Sequence, residues 1–189
     1  MSTKPSSLLT DPPKHIVYPC ADENRIAEAV GTFAAAGLGR GEAVVLVTTG
    51  VRRVMIEHHL EAQGFDTKAF IATGQLAFLE ASALLAAFMN EGMPDAELFK
   101  IRVEQVIEAA SINPVDGQPR KVRIFGEMVS LLYMSSNVPA AVRLEGFWNQ
   151  MVASHSISLF CAYSLKLESD RLPQSLLDAH THDLSTVVN

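Results

Sequence analysis

The chain has 189 residues and a mass of 20.5 kDa, a size suited to one ordinary domain. Apolar residues make up 48% and charged residues 19%, enough for a buried core, which excludes global disorder. The 15 Lys and Arg face 21 Asp and Glu, a formal charge of −6 that argues against direct nucleic-acid binding. No apolar window approaches the roughly 18 residues of a membrane span, and the N-terminal stretch lacks the apolar segment of a secretion signal. Cys20 and Cys161 therefore read as free thiols in a reducing, cytoplasmic setting.

Residues 1–14 are polar and carry Pro5, Pro12 and Pro13, so they read as a flexible leader. His15–Tyr18 is a short strand expected to stop at Pro19. Asp22 offers an N-cap for a helix whose apolar face is Ile26, Ala29, Val30, Phe33 and Ala34, closed at Gly37. The run Glu42–Thr49 has no polar alternation, the mark of a strand covered on both faces in a parallel sheet. Val51–Gln63 reads as a second helix and Leu76–Leu79 as a strand. A third helix is expected through Leu84, Leu85, Phe88 and Met89 to Gly92. Pro94 is placed to start a fourth, with the stripe Phe99, Val103, Val106, Ile107 and Ala110. After a loop at 113–119 come a strand at Val122–Phe125, a helix at Val138–Ser154 and a strand at Ile157–Tyr163. Residues 166–189 are a weakly patterned tail with room for a short helix. Alternating strands and helices predict an α/β three-layer sandwich around a mainly parallel central sheet.

Motifs with strong chemistry are missing. There is no phosphate-binding Gly-rich loop, no Cys-x-x-Cys and no His-Glu-x-x-His, so the sequence names no cofactor and no metal site. In open α/β sheets, ligands bind beyond the carboxyl ends of the strands. Glu127 follows a strand directly and reads either as a pocket carboxylate or as a helix-start acid. Glu145 lies on the apolar stripe of its helix, where it must be paired. Cys161 sits within the last strand, as a small hydrophobe or a sensing thiol. Cys20, before a helix start, is the more reactive thiol of the two.

Several segments taken together resemble the MEDS domain, the methanogen/methylotroph, DcmR-like sensory domain. They are His15-Ile-Val, Phe33 through Val47, Phe88-Met-x-x-Gly-Met-Pro-Asp95, Arg123-Ile-Phe-Gly-Glu-Met-Val129, Leu144-Glu-x-x-Trp-Asn149 and Leu159-Phe-Cys-Ala-Tyr163. The resemblance covers residues 15–165. It implies a RecA/KaiC-like fold without the phosphate loop; here the first strand–helix junction reads Pro19-Cys-Ala-Asp-Glu-Asn24, with two carboxylates instead of a lysine. It also implies a non-catalytic cytoplasmic sensor of a small organic ligand, such as a short hydrocarbon derivative. Such a sensor would pass its state to a separate histidine kinase or transcription regulator, and a homo-oligomer is compatible with that role. The residues expected to bind ligand are His15, Tyr18, Cys20, Glu127, Glu145, Cys161 and Tyr163, in one pocket at the carboxyl edge of the sheet. The alternatives are a degenerate nucleotide-binding RecA relative and a small Cys/His enzyme.

Overall fold

The structure is a computed structural model that describes residues 5–11 and 14–184. In chain order its elements are α1 (Pro5–Thr10), β1 (His15–Cys20), α2 (Glu23–Leu38), β2 (Ala43–Thr48), α3 (Gly50–Ala62), α4 (Thr67–Ala72), β3 (Leu76–Glu80) and α5 (Ala81–Ala86). There follow β4 (Met89–Asn90), β5 (Met93–Pro94), α6 (Ala96–Ser111), β6 (Val122–Gly126), α7 (Met128–Met134), α8 (Val138–Ser154), β7 (Ile157–Ser164), α9 (Gln174–Leu177) and β8 (His182–Asp183). Six strands form one sheet in the order β3-β2-β6-β7-β1-β8, and every neighbouring pair is parallel. The two-residue strands β4 and β5 make a separate antiparallel ribbon.

The unbroken apolar run of β2 is buried on both sides, as its composition requires. Val44 and Leu46 pack into a core with α2 and α3, whereas Val45 and Val47 pack into a second core with α6, α7 and α8. Helices thus cover both faces, and the molecule is the expected α/β sandwich. Asp22 caps α2 by accepting from the backbone N–H of Asn24 and Arg25. Near the other end of α2, Gly37 leaves room for the buried Arg123: a Cβ there would fall 2.7 Å from its Cδ.

Several segments differ from the sequence reading. First, the expected flexible leader contains α1, whose Leu8 and Leu9 are buried; Arg123 donates to the carbonyls of Leu9, Thr10 and Phe33 and pairs with Glu42. Residues 1–4, 12 and 13 lie outside the described residues. Second, β1 runs through Pro19 to Cys20. The carbonyl of His15 bonds on the β8 side, and those of Lys14 and Cys20 on the β7 side. Pro19 therefore turns its nitrogen to the β8 side, where β8 is in register only with Ile16 and Val17, and no ladder bond is lost. Third, the tail contributes α9 and the edge strand β8, with Leu172 and Leu176 buried in the core; residues 185–189 lie outside the described residues. The expected helix from Leu84 to Gly92 also stops early, at Ala86; Met89 and Asn90 instead pair with Met93 and Pro94 around a turn at Glu91 and Gly92, which both have positive φ. Pro94 belongs to β5, and Asp95 caps α6 instead.

Trp148 on α8 is 1% exposed and packs edge-on against Phe99 of α6 at 5.1 Å between ring centres. Trp148→Ala is expected to lower the unfolding free energy by about 3–5 kcal/mol, the cost of truncating a buried large aromatic, measured by urea denaturation.

Candidate functional site: a buried His–Glu–Cys–Tyr cluster

Side chains on a strand alternate faces. In β1, His15 and Val17 point toward α8, and Ile16, Tyr18 and Cys20 point toward α2. In β7, Cys161 and Tyr163 share the α8 face. Helix α8 answers with Glu145 and, one turn later, Asn149. A fourth piece arrives from the tail, where the turn after α9 brings His180 against the same spot. The four residues His15, Glu145, Cys161 and Tyr163 each show 0% exposure.

Glu145 is the hub. Its Oε1 accepts from the Tyr163 hydroxyl at 2.5 Å and lies 3.2 Å from His180 Nε2. Its Oε2 lies 3.4 Å from His15 Nε2 and accepts from the Cys161 thiol at 3.8 Å. His15 Nε2 is also 3.5 Å from Cys161 Sγ. The far nitrogens are anchored too. His15 Nδ1 meets Asn149 Oδ1 at 2.9 Å, Asn149 Nδ2 donates to the Ala179 carbonyl at 2.8 Å, and His180 Nδ1 meets the Leu176 carbonyl at 2.7 Å. Burial pushes the Glu145 pKa up, but His180 and His15, through charge and hydrogen bonds, outweigh it and hold the group at about 2. Burial and then the Glu145 charge push Cys161 and Tyr163 well above their ordinary values. The donor atoms of His15, Glu145, Cys161 and His180 all lie within 4.8 Å of one another, the one group among the described residues close enough to share an ion.

The seven residues expected in one pocket occupy three places. His15, Glu145, Cys161 and Tyr163 are together, but inside the α8 face of the sheet, not at its carboxyl edge. Tyr18 and Cys20 lie on the opposite face, separated by the period-two alternation of β1. There the Tyr18 hydroxyl is raised to about 12, chiefly by burial, and Cys20 Sγ points to the Asp22 carbonyl at 3.7 Å. Glu127 does sit at the carboxyl edge, in a network of its own. It accepts from Thr48 Oγ1 and the Thr49 N–H, both at 2.8 Å, and pairs with Arg52 Nε at 3.0 Å. Arg52, buried on α3, also pairs with Glu23 at 2.7 Å and donates to Ser164 at 3.0 Å.

His180, Asn149 and Arg52 were not expected. Asn149 stood within the Glu-x-x-Trp-Asn segment, four residues after Glu145 on one helix face, and that spacing is a readable signal. His180 lies in a polar stretch without periodicity, and only its residue type marked it.

One large cavity, about 590 Å³, lies away from the cluster between β2, β3, α5 and α6. Ala77, Leu79, Leu84, Val106 and Ala110 line it, with Arg102, Gln105 and Glu80 as polar members. None of the seven expected residues reaches it. A second cavity of about 470 Å³ has charged walls that include Lys14, Glu42 and Lys121.

Glu127→Gln would leave the Arg52 guanidinium with Glu23 as its one carboxylate. Breaking a buried pair in this way is expected to cost about 3 kcal/mol, read as a lower urea midpoint at unchanged slope.

A search among curated proteins finds no match to the chain. One family model does match, that of the MEthanogen/methylotroph, DcmR Sensory domain, over residues 14–182. The matched span takes in His15 of β1, both motif segments of α8 and β7, and His180 of the tail. The chain belongs to the MEDS family of sensory domains.

Proposed function

We propose that this domain senses a small organic molecule of low polarity without converting it, and reports its presence to a separate protein, a histidine kinase or transcription regulator. The observation that carries the reading is the cavity between β2–β3, α5 and α6. Its walls are small and apolar, with Arg102, Gln105 and Glu80 to orient a guest, the make-up of a small-molecule site. A short hydrocarbon derivative suits it better than a sugar or a nucleotide. We assign the guest to this cleft, whereas the sequence reading expected it at the carboxyl edge.

The non-catalytic part of the reading is supported by the state of the nucleophiles. Cys161 and Tyr163 are closed off from solvent, and their acidities are suppressed, the reverse of an activated thiol or phenol. The RecA/KaiC-like relationship is part of the same proposal, with the nucleotide function gone. At the β1–α2 junction, Asp22 is engaged as a helix cap and Glu23 in the Arg52 ion pair, so a triphosphate would meet two carboxylates there. A cytoplasmic location also belongs to the proposal. Among the described residues, no helix is long and apolar enough to cross a membrane.

Thermal-shift titration with short alcohols, haloalkanes and thioethers tests the reading. At least one class should raise Tm saturably, since a guest at ~100 times its Kd adds about 2.7 kcal/mol to the folded state. Ala110→Phe and Ala83→Leu, which fill the cleft from α6 and α5, should stay folded and lose that shift. A saturable shift unchanged in both variants would place the guest elsewhere, and no shift with any class would overturn the reading.

A further inference from the structure

We infer that the buried cluster is a tetrahedral site for a divalent transition-metal ion of the zinc type, with His15 Nε2, His180 Nε2, Cys161 Sγ and a Glu145 carboxylate oxygen as ligands. The inference is independent of the organic-ligand reading.

The argument begins at the outer nitrogens. A carbonyl oxygen only accepts, so the Leu176 carbonyl at 2.7 Å fixes His180 Nδ1 as an N–H donor. Asn149 uses its amide nitrogen on the Ala179 carbonyl, so its oxygen faces His15 and fixes Nδ1 of that ring as a donor as well. In their neutral form, both imidazoles would therefore turn an Nε2 lone pair inward. Each lone pair faces a Glu145 oxygen, at 3.4 and 3.2 Å, and only that of His15 also has the Cys161 thiol beside it, at 3.5 Å. His180 Nε2 is buried, and Glu145 Oε1, 3.2 Å away, is not placed to make a well-formed hydrogen bond with it. Lone pairs aimed at a carboxylate repel unless positive charge stands between them. Two imidazolium protons would supply it, but they would put two cations on rings only 4.2 Å apart, around a single carboxylate. One divalent ion satisfies all four donors at once.

The spacing fits that ion. Bonds of about 2.0–2.3 Å to N, O and S place the corners of a tetrahedron ~3.3–3.8 Å apart. His15 and Cys161 lie 3.4 and 3.8 Å from Glu145 Oε2 and 3.5 Å from each other, His180 lies 3.2 Å from Oε1, and all four donors fall within 4.8 Å of one another, so seating one ion draws them slightly inward. Two imidazoles, one thiolate and one carboxylate are the ligand types of zinc, and the two anionic ligands balance its charge. Binding would release the Cys161 thiol proton to solvent, leaving the sulfur as the thiolate that coordinates. The surroundings are those of a supported site: Asn149 and the Leu176 carbonyl orient the rings, and Tyr163 orients the carboxylate. The absence of a spaced zinc motif is explained by origin, since the four ligands come from β1, α8, β7 and the tail.

The test uses the full chain, unfolded in chelator and refolded with Zn²⁺ or Co²⁺. Roughly one equivalent should be retained after desalting, and Tm should rise with metal and fall with chelator. The Co²⁺ form should show the intense visible bands of a tetrahedral site and a thiolate-to-cobalt charge-transfer band, the latter lost in Cys161→Ser. Asn149→Ala keeps all four ligands and should weaken binding roughly 10–100-fold, so the proposal stays testable should Cys161→Ser fail to fold. Negligible retention with a metal-independent Tm overturns the proposal, as does a charge-transfer band that survives Cys161→Ser or a parent complex that lacks one.

Discussion

One carboxylate organises the α8 side of this molecule. Glu145 has no exposed surface, and an ionised group taken wholly out of water costs several kcal/mol unless partners are held ready for it. Those partners come from three other parts of the chain. The parallel register of β1 on β7, with His15 opposite Leu159 and Val17 opposite Cys161, sets His15, Cys161 and Tyr163 on one face within reach of α8. The tail must then fold back to deliver His180, and β8 pairs with β1 at the next two residues. An error of one residue in either strand would turn its members of the cluster to the other face and leave Glu145 short of partners. The cluster thus selects the register as well as occupying it.

This dependence also explains what the sequence could reveal. The sheet was legible because Val44–Val47 has no polar alternation, and the helices because their apolar residues recur at helical spacing, with Asp22 marking the start of α2. Glu145 was legible as an acid on an apolar stripe. Cys161 and His15 were legible mainly through their motif segments. Grouping Tyr18 and Cys20 with them overlooked the alternation of β1, which separates odd from even positions without any structure in hand. Short elements escaped for a different reason. Helices α4 and α7 have only 6 and 7 residues, too few for a helical period to declare itself. His180 could not be placed because a two-residue edge strand leaves no pattern, and its position depends on a tertiary contact.

The two candidate sites are linked by packing. Helix α6 lines the apolar cleft through Arg102, Gln105 and Val106, and it carries Phe99 two turns before Val106 on the same stripe. Phe99 touches both Phe147 and Trp148 of α8, at 5.4 and 5.1 Å between ring centres. Trp148 lies between Glu145 and Asn149 in sequence on the same helix. A guest that displaces α6 therefore acts on the helix that holds the hub of the cluster, through close-packed aromatic rings that transmit displacement more readily than they absorb it. Such a guest shifts the equilibrium only by its difference in affinity between the two arrangements. The affected output would be the segment that the cluster pins down. Ala179, His180 and Thr181 are tied to Asn149, Leu176 and His15, and they lead directly into β8 at the edge of the sheet. A sheet edge carries unpaired backbone donors and acceptors, so releasing β8 would bare the β1 edge it covers, a surface able to take a strand from a partner. The same logic assigns the metal its part. An ion ligated by His180 would hold β8 in place, and anything that loosens α8 around Glu145 would weaken that hold.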